Sequence, residues 1–283
     1  MNRRLMVAAG GTAVGAALFL SGCGGDGTTS TENMKLSAGQ ALLKASQKTG
    51  QTDTFKADLT VTGTGEHGGK VHANGQFQLR PKLKFSAKLD EFSSNGRTVP
   101  GAKGQALFTD NVLYAKVPQL AQFVSGGKPW LKIDVNQMAQ RTGFDVQSLL
   151  QQVQQVDPAE QTKMFTGSKD ARRVGTETVD GVKTTHYTGT VTVQDALNQL
   201  DAQSREKVSR WLPKDRANSK INFDLWTDGD NLPRKLVSTA TGPQGEKGTV
   251  TVLYSDYGDS FSVNAPPSDQ VGQLSLGGMF GGN

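Results

Sequence analysis

The feature that most constrains the fold is a strict alternation of apolar and polar residues. In residues 54–61 every second side chain is apolar, and the pattern recurs in residues 70–79 and 82–92. Because successive side chains of a strand point to opposite faces, this alternation predicts an antiparallel sheet with one buried and one hydrated face. The apolar side chains of these segments are Phe55, Ala57, Leu59, Val61, Val71, Ala73, Phe77, Leu79, Leu83, Phe85, Ala87 and Leu89.

Further strands are predicted along most of the remaining chain. Asp110-Asn111 and Asp180-Gly181 each join two of them, and such pairs favour tight two-residue hairpin turns. The additional segments are 104–110, 112–117, 129–134, 172–179, 182–191, 220–227, 233–240, 248–257 and 261–267. We expect about ten or eleven antiparallel strands to form among these segments and the three above.

Helical spacing interrupts the strands in a few places. Ser37 begins a helix that Gly50 ends, and further helices are predicted at 145–156, 159–165 and 193–212. Helices inserted among antiparallel strands, without a convincing linker, predict a single α+β domain.

The first 23 residues have the order of a bacterial lipoprotein signal. Arg3 and Arg4 precede an uncharged run to Leu20, which is shorter than the roughly 20 residues of a membrane-spanning helix. The sequence Leu20-Ser21-Gly22-Cys23 then resembles the lipobox, in which a diacylglyceryl group is attached to the cysteine sulfur. We therefore predict a signal peptide at 1–22 and a lipidated Cys23 with a flexible tether at 23–35. The alternatives are an uncleaved anchor and a buried free cysteine.

The predicted anchor places the protein on the outer side of the cell membrane. Removal of the signal lowers the formal charge from +5 to +3, because it removes Arg3 and Arg4 and no acidic residue. This mild excess is spread along the chain and does not suggest nucleic acid, which needs a basic stripe.

Four segments carry a resemblance to a known family: the Ser21-Gly22-Cys23 motif and residues 179–191, 223–237 and 250–267. With the order of the elements, they resemble the actinobacterial LppX/LprG-type lipoproteins, which share the fold of the LolA and LolB carriers. The resemblance implies a strongly curved sheet, a half-barrel, with helices over its concave face. The domain would span residues 36–270, and a disordered Gly-rich tail would follow at 271–283.

The resemblance further implies a lipid or glycolipid bound non-covalently in an apolar cavity. It suggests transport across the envelope, a membrane transporter as partner and a monomeric state. The alternative is a non-catalytic sensor or protein-interaction lipoprotein without a cavity. The side chains expected to line the cavity are Phe55, Leu59, Phe77, Phe85, Leu89, Phe144, Leu149 and Leu150.

No motif in the sequence supports catalysis or a cofactor. Residues 63–68 fit G-x-G-x-x-G, but a strand pattern follows where dinucleotide binding needs a helix. Glu66, His67 and His72 give too few ligands for a zinc site, and His186 is interpreted as structural or exposed. Residues 227–231 lack the spacing of a calcium loop and indicate a turn. We expect neither enzymatic activity nor a bound metal.

Overall fold

The computed structural model describes most of the predicted domain. The ranges it describes are 37–65, 68–99, 102–118, 121, 125–135, 156–200, 202, 205–206, 217–242 and 244–273. The predicted signal peptide, Cys23, and the predicted helix at 145–156 apart from its last residue lie outside the described residues.

Within these ranges the strands form one large sheet. The strands are β1 (Thr54–Gly63), β2 (Gly69–Gln78), β3 (Lys84–Ser94), β4 (Arg97–Thr98), β5 (Gly104–Thr109), β6 (Val112–Lys116), β7 (Trp130–Asp134), β8 (Arg172–Val179), β9 (Val182–Thr192), β10 (Lys220–Thr227), β11 (Pro233–Thr241), β12 (Lys247–Ser255) and β13 (Val271–Gln273). The sheet runs in the order β13-β7-β6-β5-β3-β2-β1-β12-β11-β10-β9-β8, and β4 pairs with β3.

The predicted α+β class with one mostly antiparallel sheet is confirmed. The described strands exceed the expected ten or eleven because the sheet also includes the two-residue β4 and the three-residue β13. β13 is the exception to antiparallel pairing, since it runs parallel to β7 through the register Val271↔Trp130. It also occupies the start of the segment predicted to be a disordered tail.

The described helices are α1 (Ala38–Gly50), α2 (Pro158–Met164) and α3 (Val193–Asn198), with 3₁₀ turns at Phe165–Gly167 and Ser268–Gln270. Ser37 caps α1 in a reciprocal capping box with Gln40, which explains why the helix begins there. Asp157 caps α2, with Pro158 in its first turn. The predicted starts of these two helices are confirmed.

Two sequence predictions differ from the structure. Residues 261–267, expected to form a strand, contain no regular structure and belong to the connection from β12 to β13. The predicted helix 193–212 begins as expected, but α3 ends at Asn198 and residues 199–200 form a turn. Of residues 201–212, Ala202, Arg205 and Glu206 are described and are helical, and the others lie outside the described residues.

The hairpin turns follow the sequence prediction. Asp110 and Asn111 have φ values of 52° and 60°, while Asp180 and Gly181 have φ values of 46° and 79°. Positive φ at both central residues is the geometry of a type I′ turn, whose twist matches that of the strands it joins.

The core lies on the apolar face of the sheet, together with the three helices. Leu42 of α1 and Ala196 of α3 belong to the same buried cluster as Phe223 of β10. Phe165, just after α2, stacks on Phe223 with 4.5 Å between ring centroids. No helix among the described residues is both long enough and apolar enough to span a membrane.

Candidate functional site

Four phenylalanines on neighbouring strands form a buried row across the apolar face. The strand register pairs Phe55 with Phe77, Phe77 with Phe85, and Phe85 with Phe108. Their ring centroids are 5.3, 6.1 and 5.7 Å apart in that order. All four side chains are buried. This aromatic row is therefore a packed part of the core, held by ring contacts in favourable geometries.

The same face continues beyond the aromatic row with smaller and less buried side chains. Leu59 pairs with Ala73, Ala73 with Leu89, and Leu89 with Gly104. A Cβ atom at Gly104 would lie 4.0 Å from Cγ2 of Val117. We call this region the apolar strip, and it consists of Leu59, Val61, Val71, Leu89, Phe92 and Val117.

None of the side chains in the apolar strip is fully buried. Phe92 and Val117 are each 38% exposed, whereas Phe85 in the aromatic row is 5% exposed. The apolar face of the sheet is therefore a closed core at the aromatic row and a partly exposed apolar surface at the apolar strip.

The described side chains that the sequence predicts for a lipid cavity lie in two different regions of the apolar face. Phe55, Phe77 and Phe85 lie in the aromatic row, and Leu59 and Leu89 lie in the apolar strip. Phe144, Leu149 and Leu150, like Cys23, lie outside the described residues. A lipid-binding role for these residues stays a prediction.

A separate cavity of about 740 Å³ lies on the opposite, polar face of the sheet. Several lining residues are direct sequence neighbours of the aromatic row, so their side chains point to the other face of the sheet. Much of the lining is polar or charged. Acyl chains placed there would bury hydrogen-bonding groups without partners, which is costly. The lining residues are Lys56, Ala57, Asp58, Asn74, Gly75, Gln76, Ser86, Ala87, Lys88, Gln105, Leu107, Trp130, Asp180, Leu253, Tyr254, Ser255 and Ser262.

His186 lies in a network on the polar face that the sequence analysis missed. Its Nδ1 is 2.8 Å from Oε1 of Glu177, and its Nε2 is 2.8 Å from Oδ1 of Asp224. Trp226 donates its indole N–H to Oε2 of Glu177 at 2.9 Å. That hydrogen bond, followed by the one to His186, lowers the pKa of Glu177. Only the register of β8, β9 and β10 brings these residues together.

Other polar groups singled out in the sequence also have structural partners. Nε2 of His72 lies 3.0 and 3.1 Å from the two carboxylate oxygens of Asp58, while Glu66 and His67 lie outside the described residues. Oδ1 of Asp228 accepts hydrogen bonds from two backbone amides of its loop, which confirms the predicted turn. Within the part of the chain that the structure describes, no group of three His, Cys, Asp or Glu residues is placed to hold a metal ion.

No family model matches the sequence. The chain is 27% identical over 247 residues to an uncharacterised 31.2 kDa protein of Streptomyces griseus from the rplA–rplJ intergenic region, covering 84% of this chain and 79% of that protein. It is 28% identical over 165 residues to a Streptomyces coelicolor protein with the provisional name of a lipoprotein, covering 58% of this chain and 49% of that protein.

The comparison with solved structures gives matches at low sequence identity. LprF from Mycobacterium bovis has a TM-score of 0.46 at 14% identity, covering 81% of this chain and 96% of LprF. LppX from Mycobacterium tuberculosis has a TM-score of 0.42 at 15% identity, covering 80% of this chain and 98% of LppX. A LolA superfamily protein from Nitrosomonas europaea has a TM-score of 0.26 at 11% identity, covering 83% of this chain and 96% of that chain.

Proposed function

We propose that this protein is a lipoprotein of the LppX/LprG type, anchored outside the cytoplasm through Cys23, that binds the acyl chains of a lipid or glycolipid. Its role is non-catalytic: it holds the lipid and shields its chains from water. We also propose that the protein carries this lipid across the envelope, with a membrane transporter as its partner.

One observation carries the proposal: within the described part of the chain, the apolar face of the sheet is only partly covered. The aromatic row is closed by packing, yet Leu59, Leu89 and Phe92 further along the same strands keep part of their surface open. Soluble proteins rarely leave a contiguous apolar surface without a use. An acyl chain lying along the apolar strip would cover it.

The energetics favour an acyl chain as the occupant. Each methylene removed from water contributes about 0.8 kcal/mol, so eight methylenes on the apolar strip contribute about 6 kcal/mol before ordering costs. The headgroup would stay outside, because the face ends in exposed side chains at Phe92 and Val117.

The architecture we propose around this strip is the strongly curved half-barrel of the family, with helices over the concave face. The cavity would lie between the sheet and those helices. On the helical side, its lining would come from Phe144, Leu149 and Leu150, which are assigned from sequence alone. The lipobox at Cys23 would supply the anchor, because two acyl chains hold a protein stably at a bilayer.

The test measures lipid that copurifies with the protein. The chain without residues 1–23 is expressed, extracted with organic solvent and analysed by mass spectrometry. Leu59→Asn and Leu89→Asn change the apolar strip, and Leu43→Asn is the matched control, because Leu43 is 49% exposed on α1. We expect stoichiometric lipid with the unmodified chain and with the Leu43 variant, and a large loss with the strip variants.

Two results would contradict the proposal. One is a preparation from an actinobacterial host that carries no lipid while remaining folded by circular dichroism. The other is equal lipid content in the strip variants and in the Leu43 control, which would place the lipid elsewhere. The first result would favour the sensor or protein-interaction alternative.

A further inference from the structure

Three exposed apolar side chains lie at one end of the sheet. Phe92, Val99 and Val117 are 38%, 41% and 38% exposed. The backbone N–H of Val99 donates to the carbonyl of Phe92 at 3.0 Å, which places these two residues side by side. Val117 follows the end of β6 and lies beside Gly104, the strand neighbour of Leu89. The apolar strip therefore reaches solvent at this end.

The same end of the sheet is basic. Residues 92–109 contain Arg97 and Lys103 and no acidic residue. Lys116, which ends β6, pairs with Gln105 on the polar face, and its Nζ lies 5.7 Å from the centroid of the Trp130 ring. The nearest acidic side chains of β3 are already paired, since Glu91 lies 2.7 Å from Lys70 and Asp90 lies 2.7 Å from Lys88. The local charge is therefore positive.

We propose that this end of the sheet docks on an anionic bilayer surface and passes lipid directly to the apolar strip. This inference rests on the proposed lipid-binding function, and it adds the surface through which lipid enters. We call this surface the docking end, and it consists of Phe92, Arg97, Val99, Lys103 and Val117.

A membrane surface fits both properties of the docking end. Exposed apolar side chains enter the boundary between headgroups and acyl chains, while basic side chains contact anionic headgroups. Each lysine or arginine near such a surface changes the ratio of docked to undocked protein about fivefold at moderate salt. The register Leu89↔Gly104, with Val117 next to Gly104, gives an acyl chain a continuous apolar path from the bilayer to Leu59.

A protein partner fits the docking end less well. The cores of protein interfaces are depleted in lysine, whereas Lys103 directly precedes Gly104, the neighbour of the exposed Val117, at this surface. The chemistry of this surface therefore favours anionic lipid over a protein.

The experiment uses the full chain, expressed with its own signal and purified from host membranes. Cys23 is the only cysteine in the sequence, and its sulfur carries the lipid in the proposed mature protein. A cysteine introduced elsewhere is then the single free thiol, and intact mass confirms a single label. Val99→Cys and Val117→Cys receive an environment-sensitive fluorophore, and Val174→Cys is the matched control, since Val174 is 49% exposed on the edge strand β8.

Each labelled protein is reconstituted into vesicles of phosphatidylcholine alone or with phosphatidylglycerol. We expect a blue shift of the emission at positions 99 and 117 in phosphatidylglycerol vesicles and none at position 174. Arg97→Gln combined with Lys103→Gln should reduce the docked-to-undocked ratio about 25-fold and abolish the shift. Lys169→Gln combined with Lys183→Gln, on and beside the β8–β9 hairpin, should leave it unchanged.

Emission that is equal at the three positions, or a shift at position 174 alone, would overturn the docking surface. Crosslinking of position 117 to a single host protein, without any response to vesicles, would also overturn it and assign a protein interface. Mass spectrometry of bound lipid in the same samples keeps the two proposals distinct. Bound lipid without an emission shift would support lipid binding and reject docking. An emission shift without bound lipid would support docking and reject lipid binding.

Discussion

The imidazole ring of His186 lies nearly parallel to the indole ring of Trp226, with 4.2 Å between the ring centroids and 12° between the ring planes. Nζ of Lys235 lies 4.6 Å from the centroid of the same indole. Carboxylate oxygens only accept hydrogen bonds, so both contacts of His186 to Glu177 and Asp224 are satisfied only when both ring nitrogens carry protons. The stack thus joins β8, β9, β10 and β11 on the polar face.

Replacement of His186 should destabilise the sheet in two separable steps. His186→Phe keeps a ring on Trp226 but removes two charge-assisted hydrogen bonds, so we expect the free energy of unfolding to fall by about 1–3 kcal/mol. His186→Ala also removes the stack and should cost about 1 kcal/mol more. Urea denaturation at pH 6 measures both. A Phe variant as stable as the unmodified chain would show that the hydrogen bonds contribute nothing.

Glu177 should make stability depend on acid pH. Its pKa is lowered by the hydrogen bond from Trp226 and then by that from His186. A carboxyl group with a lowered folded pKa stabilises the fold above its unfolded pKa, and this contribution is lost as the pH falls through the folded value. Glu177→Gln should therefore reduce stability at pH 7 and have no effect at the lowest pH at which the chain stays folded. Thermal melts from pH 3 to 7 measure the difference, and a pH-independent difference would contradict the assignment.

The sequence predicted the faces of the sheet but not how much of each face is covered. Phe85 and Leu89 are four residues apart in β3, so alternation places both on the apolar face and predicts the same burial for both. Their burial differs because Phe85 meets Phe77 and Phe108 from neighbouring strands, which only the register establishes. Likewise, the partners of His186 lie 9 and 38 residues away in sequence. β13 was missed because parallel pairing with β7 has no local signal.

Alanine substitution should cost more unfolding free energy in the aromatic row than in the apolar strip. Phe85→Ala removes a buried ring that contacts two others, and we expect it to cost about 3–5 kcal/mol of unfolding free energy. Leu89→Ala removes a half-exposed side chain and should cost less than about 2 kcal/mol, because less apolar surface returns to water. Chemical denaturation of lipid-free protein measures both. Equal costs would mean that Leu89 is as tightly packed as Phe85.

Asp157 should destabilise the fold when it is ionised. Burial raises its pKa to about 6, with Glu160 adding to the effect, although the carboxylate caps α2 through the amide of Ala159. The unfolded chain ionises near the ordinary pKa of 3.8, so stability falls between pH 4 and 6 and stays lower above it, by up to about 3 kcal/mol. Asp157→Asn keeps an acceptor for the cap and removes the charge. This variant should be more stable than the unmodified chain at pH 8 and similar to it at pH 4. Urea titrations at the two pH values measure this, and a variant that is less stable at pH 8 would show that the charged cap is favourable.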